Sequence, residues 1–237
     1  MKLDTIAFIF VRGGSKGLPG KNIRPLCGKP LLAWSIEHAQ SLDAVRRVIV
    51  STDAPAIAEV ARAHGAEVPF LRPAELASDT APEWLSWQHA LRWIQAEEGK
   101  LPDAMLSVPA TAPLRGENDL ARCLERFAAG DADAVIAVSE AHRNPYFNMV
   151  TCDADGMAHV VMPLPNDVSR RQDAPAVFDI ATVAYVARPG FVLASNRLFD
   201  GRVAAVELPR THCVDIDTLD DFEWAEYQMS KRLEAGS

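Results

Sequence analysis

The spacing of apolar runs constrains this chain more than any other feature. Runs of strand length alternate with segments of helical period, the pattern of βαβ units around a mostly parallel sheet. Ile6–Val11 reads as the first buried strand, Pro30–Gln40 as a helix with proline near its start, and Val45–Thr52 as the second strand. Pro55–His64 reads as a helix closed by Gly65. A short strand is expected over Glu67–Leu71, a long helix over Pro82–Glu98, a strand over Ala104–Val108, a helix over Glu117–Ala129 and a strand over Ala134–Val138. From about Arg143 to Asp173 the periodicity fades into a polar, proline-interrupted stretch, which predicts an arm or flap at about 140–180. Strands return at Ala181–Val186 and Val203–Val206, before a final amphipathic helix from about Leu219. The expected fold is α/β, a single domain over 1–237 with a Rossmann-like, mostly parallel central sheet.

The first strand opens into a turn of unusual charge. Between Thr5 and Ile36 there is no acidic residue, yet Arg12, Lys16, Lys21, Arg24 and Lys29 all lie there, in a chain of net charge −8. Three of the six lysines fall between Lys16 and Lys29. Glycines let backbone N–H groups approach an anion and the cations oppose its charge, so this turn is suited to phosphates. It is not a Walker A loop, because five residues separate Gly14 from Gly20 and Asn22 follows Lys21. Gly-x-Gly-x-x-Gly is absent too, which removes the main sign of a dinucleotide site.

The acidic balance argues against nucleic-acid or anionic-membrane partners, which reward broad positive fields. No apolar run is long enough to span a membrane. The first strand follows Met1 closely and leaves no room for a secretory signal, so a cytoplasmic location is expected. Cys27, Cys123, Cys152 and Cys213 form no Cys-x-x-Cys pair and predict buried free thiols, without zinc or disulfides. No histidine has metal-ligand spacing. Trp84, Trp87 and Trp93 fall at helical spacing and read as a packing stripe. Asp53, at the end of the second strand, is a candidate helix cap.

Asp215-Ile216-Asp217 is the second chemical signal. Alternation in an extended segment puts both carboxylates on one side, a pair of hard oxygen ligands suited to Mg²⁺. The competing reading is a capped helix start before Leu219-Asp-Asp-Phe222.

The stretch Arg12-Gly-Gly-Ser-Lys-Gly-Leu-Pro-Gly-Lys-Asn22 closely resembles the signature of acylneuraminate cytidylyltransferases, the CMP-sialic acid synthetases. Similar landmarks follow in order along nearly the whole chain: Val50-Ser-Thr-Asp53, Pro69-Phe-Leu-Arg-Pro73, Leu76-Ala-Ser-Asp-Thr-Ala81, Thr111-Ala-Pro-Leu-Arg115, Arg170-Arg-Gln-Asp173 and Asp215-Ile-Asp217. The resemblance implies transfer of CMP from CTP to the anomeric hydroxyl of a 2-keto-3-deoxy sugar acid, with release of pyrophosphate and a requirement for Mg²⁺. It implies phosphate contacts from Arg12, Lys16 and Lys21 within a loop that includes Gly13, Gly14 and Ser15. Asn22, Arg72 and Ser78 would hold the cytidine. Arg12, Lys21 and Asp217 are the expected catalytic residues, and Asp215 and Asp217 the metal ligands. Arg171 would bind the sugar's carboxylate, and Tyr185 would stand beside the acceptor unless it is a core tyrosine. A homodimer paired through the arm is also implied. No dedicated general base is visible, and metal-assisted deprotonation of the anomeric hydroxyl fills that role in this reading.

Three positions depart from the sialic acid pattern. Pro109 replaces a glutamine that would face the acceptor, Ala181-Thr182 replaces Asn-Gly, and Asp179 stands where related sequences often carry a basic residue. The nucleotide half matches and the acceptor half does not. The expected acceptor is therefore a nonulosonic or octulosonic acid other than N-acetylneuraminate, one bearing an amine or lacking the usual N-acyl group. Two rivals remain: a nucleotidyltransferase acting on a sugar phosphate or phosphonate, and a nucleotide-binding regulator without catalysis.

Overall fold

The computed structural model describes residues 3–165 and 170–235. Its centre is a six-stranded sheet in the order β10-β6-β9-β5-β1-β4. The strands are β1 (Thr5–Phe10), β4 (Val45–Ser51), β5 (Ala104–Ser107), β6 (Ala134–Glu140), β9 (Phe178–Ala187) and β10 (Val203–Glu207). β1 pairs in parallel with β4 and β5, and β10 in parallel with β6. β9 runs antiparallel to both β5 and β6.

Both faces of the sheet are covered, which is why its strands read as continuous apolar runs. On one face Ala7 and Ile9 of β1 pack with Leu32 and Ile36 of α1 (Leu31–Gln40), Ile57 and Ala61 of α2 (Pro55–Ala63), and Leu120 and Phe127 of α4 (Asp119–Ala128). On the other, Ile6 and Phe8 meet Trp84, Trp87, Leu91 and Ile94 of α3 (Glu83–Glu98) and Val192 of α5 (Pro189–Ala194). The tryptophan stripe is thus a packing stripe. A third cluster joins Leu18, Leu26 and Leu31 to Ile216, Phe222, Ala225 and Met229, so α6 (Leu219–Ala235) anchors the segment that follows the glycine loop. Within that segment β2 (Pro25–Leu26) and β3 (Lys29–Pro30) form a minimal hairpin. Its turn residues Cys27 and Gly28 both have positive φ, 49° and 79°, and Cys27 N–H donates to Glu226 Oε1 at 2.9 Å.

The expected strand over 67–71 does not form. Glu67 and Leu71 make only single bridges to Ile49 and Thr52, since Pro69 lacks the donor that a ladder needs. The stretch expected to form an arm contains a short hairpin, β7 (Val150–Cys152) and β8 (Ala158–Val160), exposed throughout. All four cysteines are free, but only Cys123 is buried; Cys152 is exposed and the other two half-buried. No helix among the described residues is long and apolar enough to cross a membrane.

Arg115 holds the loop after β5. It is 3% exposed, donates to Val183 O at 2.7 Å and Ser35 Oγ at 2.9 Å, and also bonds the Pro109 carbonyl. Burial pulls its guanidinium down to about 9. Arg115→Met is expected to strand these acceptors and lower stability by about 3 kcal/mol, read as a fall in the denaturation midpoint.

Candidate active site

From β1 the chain passes to β4 on one side of the sheet, then crosses back to β5 on the other. The carboxyl ends of β1 and β5 therefore frame the crevice where open α/β sheets bind ligands. A cavity of about 300 Å³ lies there, lined among others by Arg12, Ser15, Lys16, Lys21, Asn22, Glu83, Pro109, Thr111, Thr182, Tyr185 and Asp217.

The glycine loop is braced from several sides. Gly13 N–H donates to Asp53 Oδ1 at 3.0 Å, so Asp53 holds the loop and does not cap α2, whose N-cap is Ala54 without a side-chain bond. A Cβ at Gly13 would come within 2.9 Å of the Ala54 Cβ, and one at Gly17 would strike the Asp217 main-chain carbonyl. Gly14 has open space around it and lines none of the cavities described here. Asn22 Nδ2 donates to Arg12 O at 3.2 Å, tying the two ends of the turn together. Lys21, only 9% exposed, donates to Ile216 O at 2.6 Å and Asp217 Oδ1 at 3.0 Å.

Arg12 and Lys16 converge on one anion. Asp79 receives Arg12 Nη1 at 2.7 Å on one oxygen and Lys16 Nζ at 2.6 Å on the other. These bonds, Lys16 first, hold its carboxyl below the ordinary aspartate range. A second cavity of about 240 Å³ opens beside them and shares Phe10, Arg12 and Glu83 with the first; Arg72, Ser78, Asp79 and Ser86 complete its polar lining. Arg72 is 7% exposed, with Nη1 on Ser86 Oγ at 3.1 Å, Nη2 on Val11 O at 2.7 Å, and a buried Nε that has no partner. Burial lowers its pKa.

Asp215-Ile216-Asp217 is extended, with Ile216 fully buried and its N–H donating to Thr111 O at 2.9 Å. The Asp217 side chain is 74% exposed at the cavity, while Asp215 is half-buried and its Oδ1 is buried without a hydrogen bond. Neither caps α6. Asp221 accepts Thr218 N–H and Oγ1 at 2.8 and 2.7 Å, and Thr218 Oγ1 accepts Asp221 N–H, a capping box one step further on. Among the described residues no three carboxylate, histidine or cysteine side chains cluster to hold a metal by themselves. Two carboxylates, one with an unsatisfied buried oxygen, suit a Mg²⁺ whose shell is completed by phosphate and water.

The opposite wall comes from β9. Ala181 pairs with Ala137 but Tyr185 with Ile136, a register shift that places three extra residues in β9. Through it Thr182 and Tyr185 both face the cavity. Burial, reinforced by the charges of Glu83 and Asp215, pushes the Tyr185 hydroxyl up to about 12, so it stays a donor near neutrality. Thr182 Oγ1 is buried with no partner.

Sequence reasoning missed Glu83 and did not assign Thr182 or Asp79 a role; a helix start after proline carries no chemical signature. Arg171 is not brought to this cavity. It lies before β9, beside a separate cavity lined by Glu140, Ala141 and Asn144, and donates to Ala141 O at 2.7 Å. Asp179 is exposed opposite Ser139 and lines neither cavity, and Ala181 is buried in the core.

The chain is similar to known proteins over almost its whole length. It is 31% identical over 229 residues to post-translational flagellin modification protein B of Campylobacter coli, covering 97% of this chain and 96% of that one. It is 31% identical over 227 residues to a CMP-N,N'-diacetyllegionaminic acid synthase of Campylobacter jejuni, covering 96% and 95%. Among solved structures, CMP:2-keto-3-deoxy-manno-octonic acid synthetase complexed with CTP shares the fold, with a TM-score of 0.68 at 16% identity over 96% of this chain and 99% of that one. The cytidylyltransferase family model matches residues 6–151, and this chain belongs to the cytidylyltransferase family.

Proposed function

We propose that this enzyme transfers CMP from CTP to the anomeric hydroxyl of a 2-keto-3-deoxy sugar acid and releases pyrophosphate. One observation carries the reading: Arg12, Lys16 and Lys21 meet on one side of a cavity whose other wall offers Tyr185 and Thr182, with Asp217 at its edge. The family membership and the legionaminic acid synthase relative support the same reaction.

In this mechanism the Asp79 carboxylate marks where Arg12 and Lys16 hold an anion, and phosphate oxygens take its place. The buried Lys21 adds charge at the phosphates, where low solvent access strengthens it. Arg72, Asn22 and Ser78 bind the nucleoside side, and Tyr185 orients the acceptor. Asp215 and Asp217 would hold Mg²⁺, which when bound neutralises charge on the triphosphate and the departing pyrophosphate. The chain's own contribution is mainly alignment of an in-line attack and stabilisation of charge.

The acceptor is an acid of the nonulosonic or octulosonic type. Of the departures from the sialic acid pattern, Pro109 and Thr182 line the cavity, so they bear on acceptor choice more directly than the distant Asp179. Pyrophosphate release from CTP and Mg²⁺ across a panel of sugar acids and sugar phosphates tests the reading. Release with a free sugar acid supports it; release only with a sugar phosphate replaces it.

Two copies are proposed to pair through the arm. Met149, Val150, Met157, Val160, Phe178 and Ile180 are all large, apolar and exposed there, an unusual concentration for a free surface. Within one chain Arg171 faces a separate cavity, so a role on the sugar's carboxylate requires the arm of one copy to approach the active site of another. Arg171→Ala is then expected to raise the acceptor's KM about tenfold or more and leave that for CTP unchanged. A selective rise in KM for CTP would instead put Arg171 with the nucleotide.

A further inference from the structure

Glu83, the first residue of α3, lines both cavities at the point where they join. Trp87 Nε1–H donates to its Oε1 at 2.9 Å and fixes the carboxylate's orientation; among the described residues no hydrogen bond takes its second oxygen. Glu83 is solvent-exposed as a whole residue, so the desolvation that raises its pKa, against the Trp87 bond and the nearby Arg72 charge, carries no weight beside this geometry. The only other carboxylate on the smaller cavity, Asp79, has both oxygens bound to Arg12 and Lys16. Trp87 holds Glu83 in place even when phosphate displaces Asp79, so Glu83 is the pre-oriented acceptor of that pocket, and the unpartnered Arg72 Nε–H is a free, nine-tenths-buried donor lining the same cavity.

We infer that Glu83 is a specificity-determining residue for the nucleotide: its free oxygen accepts a hydrogen bond from the exocyclic amino group of cytosine, while Arg72 Nε–H donates to an acceptor on the same base edge. The inference rests on the CTP-dependent reading above. The placement follows from connectivity. Arg12 belongs to both cavities, so a nucleotide whose phosphates meet Arg12 has the smaller cavity within reach of its base. The part of the larger cavity lined by Pro109, Thr182 and Tyr185, which the smaller cavity does not share, is left for the acceptor. Phe10 stands at the junction and offers an apolar ring face. Cytosine supplies a donor at its 4-position together with ring and carbonyl acceptors, matching one fixed acceptor and one fixed donor. Uracil carries a carbonyl where cytosine carries the amino group, and would set an acceptor against the carboxylate. Sites that hydrogen-bond one partner reject its mismatched analogue strongly, because their own polar groups are left unpaired.

Calorimetric binding of CTP and of UTP, without acceptor, tests this on the full chain, its Glu83→Gln variant and its Glu83→Ala variant. The unmodified protein is expected to prefer CTP on the order of a hundredfold. Glu83→Gln, whose carboxamide can donate as well as accept, should narrow that to within about tenfold by weakening CTP and strengthening UTP. Glu83→Ala should weaken CTP without weakening UTP, and it guards against a glutamine that misplaces the helix start. An unchanged preference in both variants overturns the inference, as does absence of preference in the unmodified protein. Retained preference with lost turnover also overturns it and moves Glu83 to the acceptor's proton. Binding needs no acceptor, so CTP preference without turnover of any sugar acid would sink the proposed reaction and leave this inference standing.

Discussion

Asp217→Asn is expected to lower turnover by on the order of a thousandfold while the protein stays folded. Asparagine keeps an oxygen that can accept from Lys21 Nζ, now 3.0 Å from Asp217 Oδ1, so the local bond survives. What it loses is the negative charge opposite the triphosphate. Asp217 is 74% exposed, so little burial changes and the unfolding midpoint should stay within a few degrees. Because a metal ligand acts chiefly on the transition state, kcat should fall far more than KM for CTP rises. Raising Mg²⁺ should recover part of the loss. Near-normal turnover would refute the assignment of Asp217.

Lys21→Met should be nearly as severe, cutting kcat/KM by on the order of a hundredfold or more. Methionine is close in length and apolar, so the buried stem still packs. The ammonium, however, makes two bonds at once, to Ile216 O and Asp217 Oδ1, and so fixes the aspartate segment to the glycine loop. Its removal takes a cation from the phosphates and frees the segment that carries Asp217. A stability loss of about 1 kcal/mol should accompany it, since Ile216 O loses its partner. Measuring both variants and the double variant gives the coupling directly: if Lys21 acts partly through Asp217, the two losses will not add. Simple additivity would mean that Lys21 serves the phosphates alone.

What could be read in the sequence follows from which constraints are local. β1 is buried on both faces, so six apolar residues in succession declared it, and the glycines and cations after it suited phosphates better than a tight surface turn with solvated lysines. The stretch over 67–71 failed because its apolar residues are interrupted by Pro69, and two single bridges need no ladder. β9 was recognisable as a strand, but its direction was not, because side-chain alternation is the same in parallel and antiparallel pairs. Its register shift was also hidden, and with it the reason that Thr182 and Tyr185 share a wall. Asp53 looked like a cap because helix α2 follows it; the bond to Gly13 N–H spans 40 residues and leaves no local trace. Glu83 sits behind a proline at a helix start, where an acidic residue is ordinary, and only the meeting of two cavities gives it chemistry. Arg171 carried a motif, but motif order along a chain does not determine which cavity a side chain reaches.

The antiparallel strand of the six-stranded sheet, β9, also governs how the molecule is made. β5 and β6 are successive strands of the chain's sheet, yet they do not pair; β9 lies between them. During synthesis the half formed by β4, β1 and β5 can assemble early, but β5 keeps an open edge of unpaired N–H and C=O groups until residues 178–187 emerge, and β6 has neither of its neighbours, since β10 comes later still. The closing step then joins contacts far apart in sequence, which is slow. Until β9 docks, the open edge of β5, which the finished fold covers, is the one exposed to edge-to-edge aggregation.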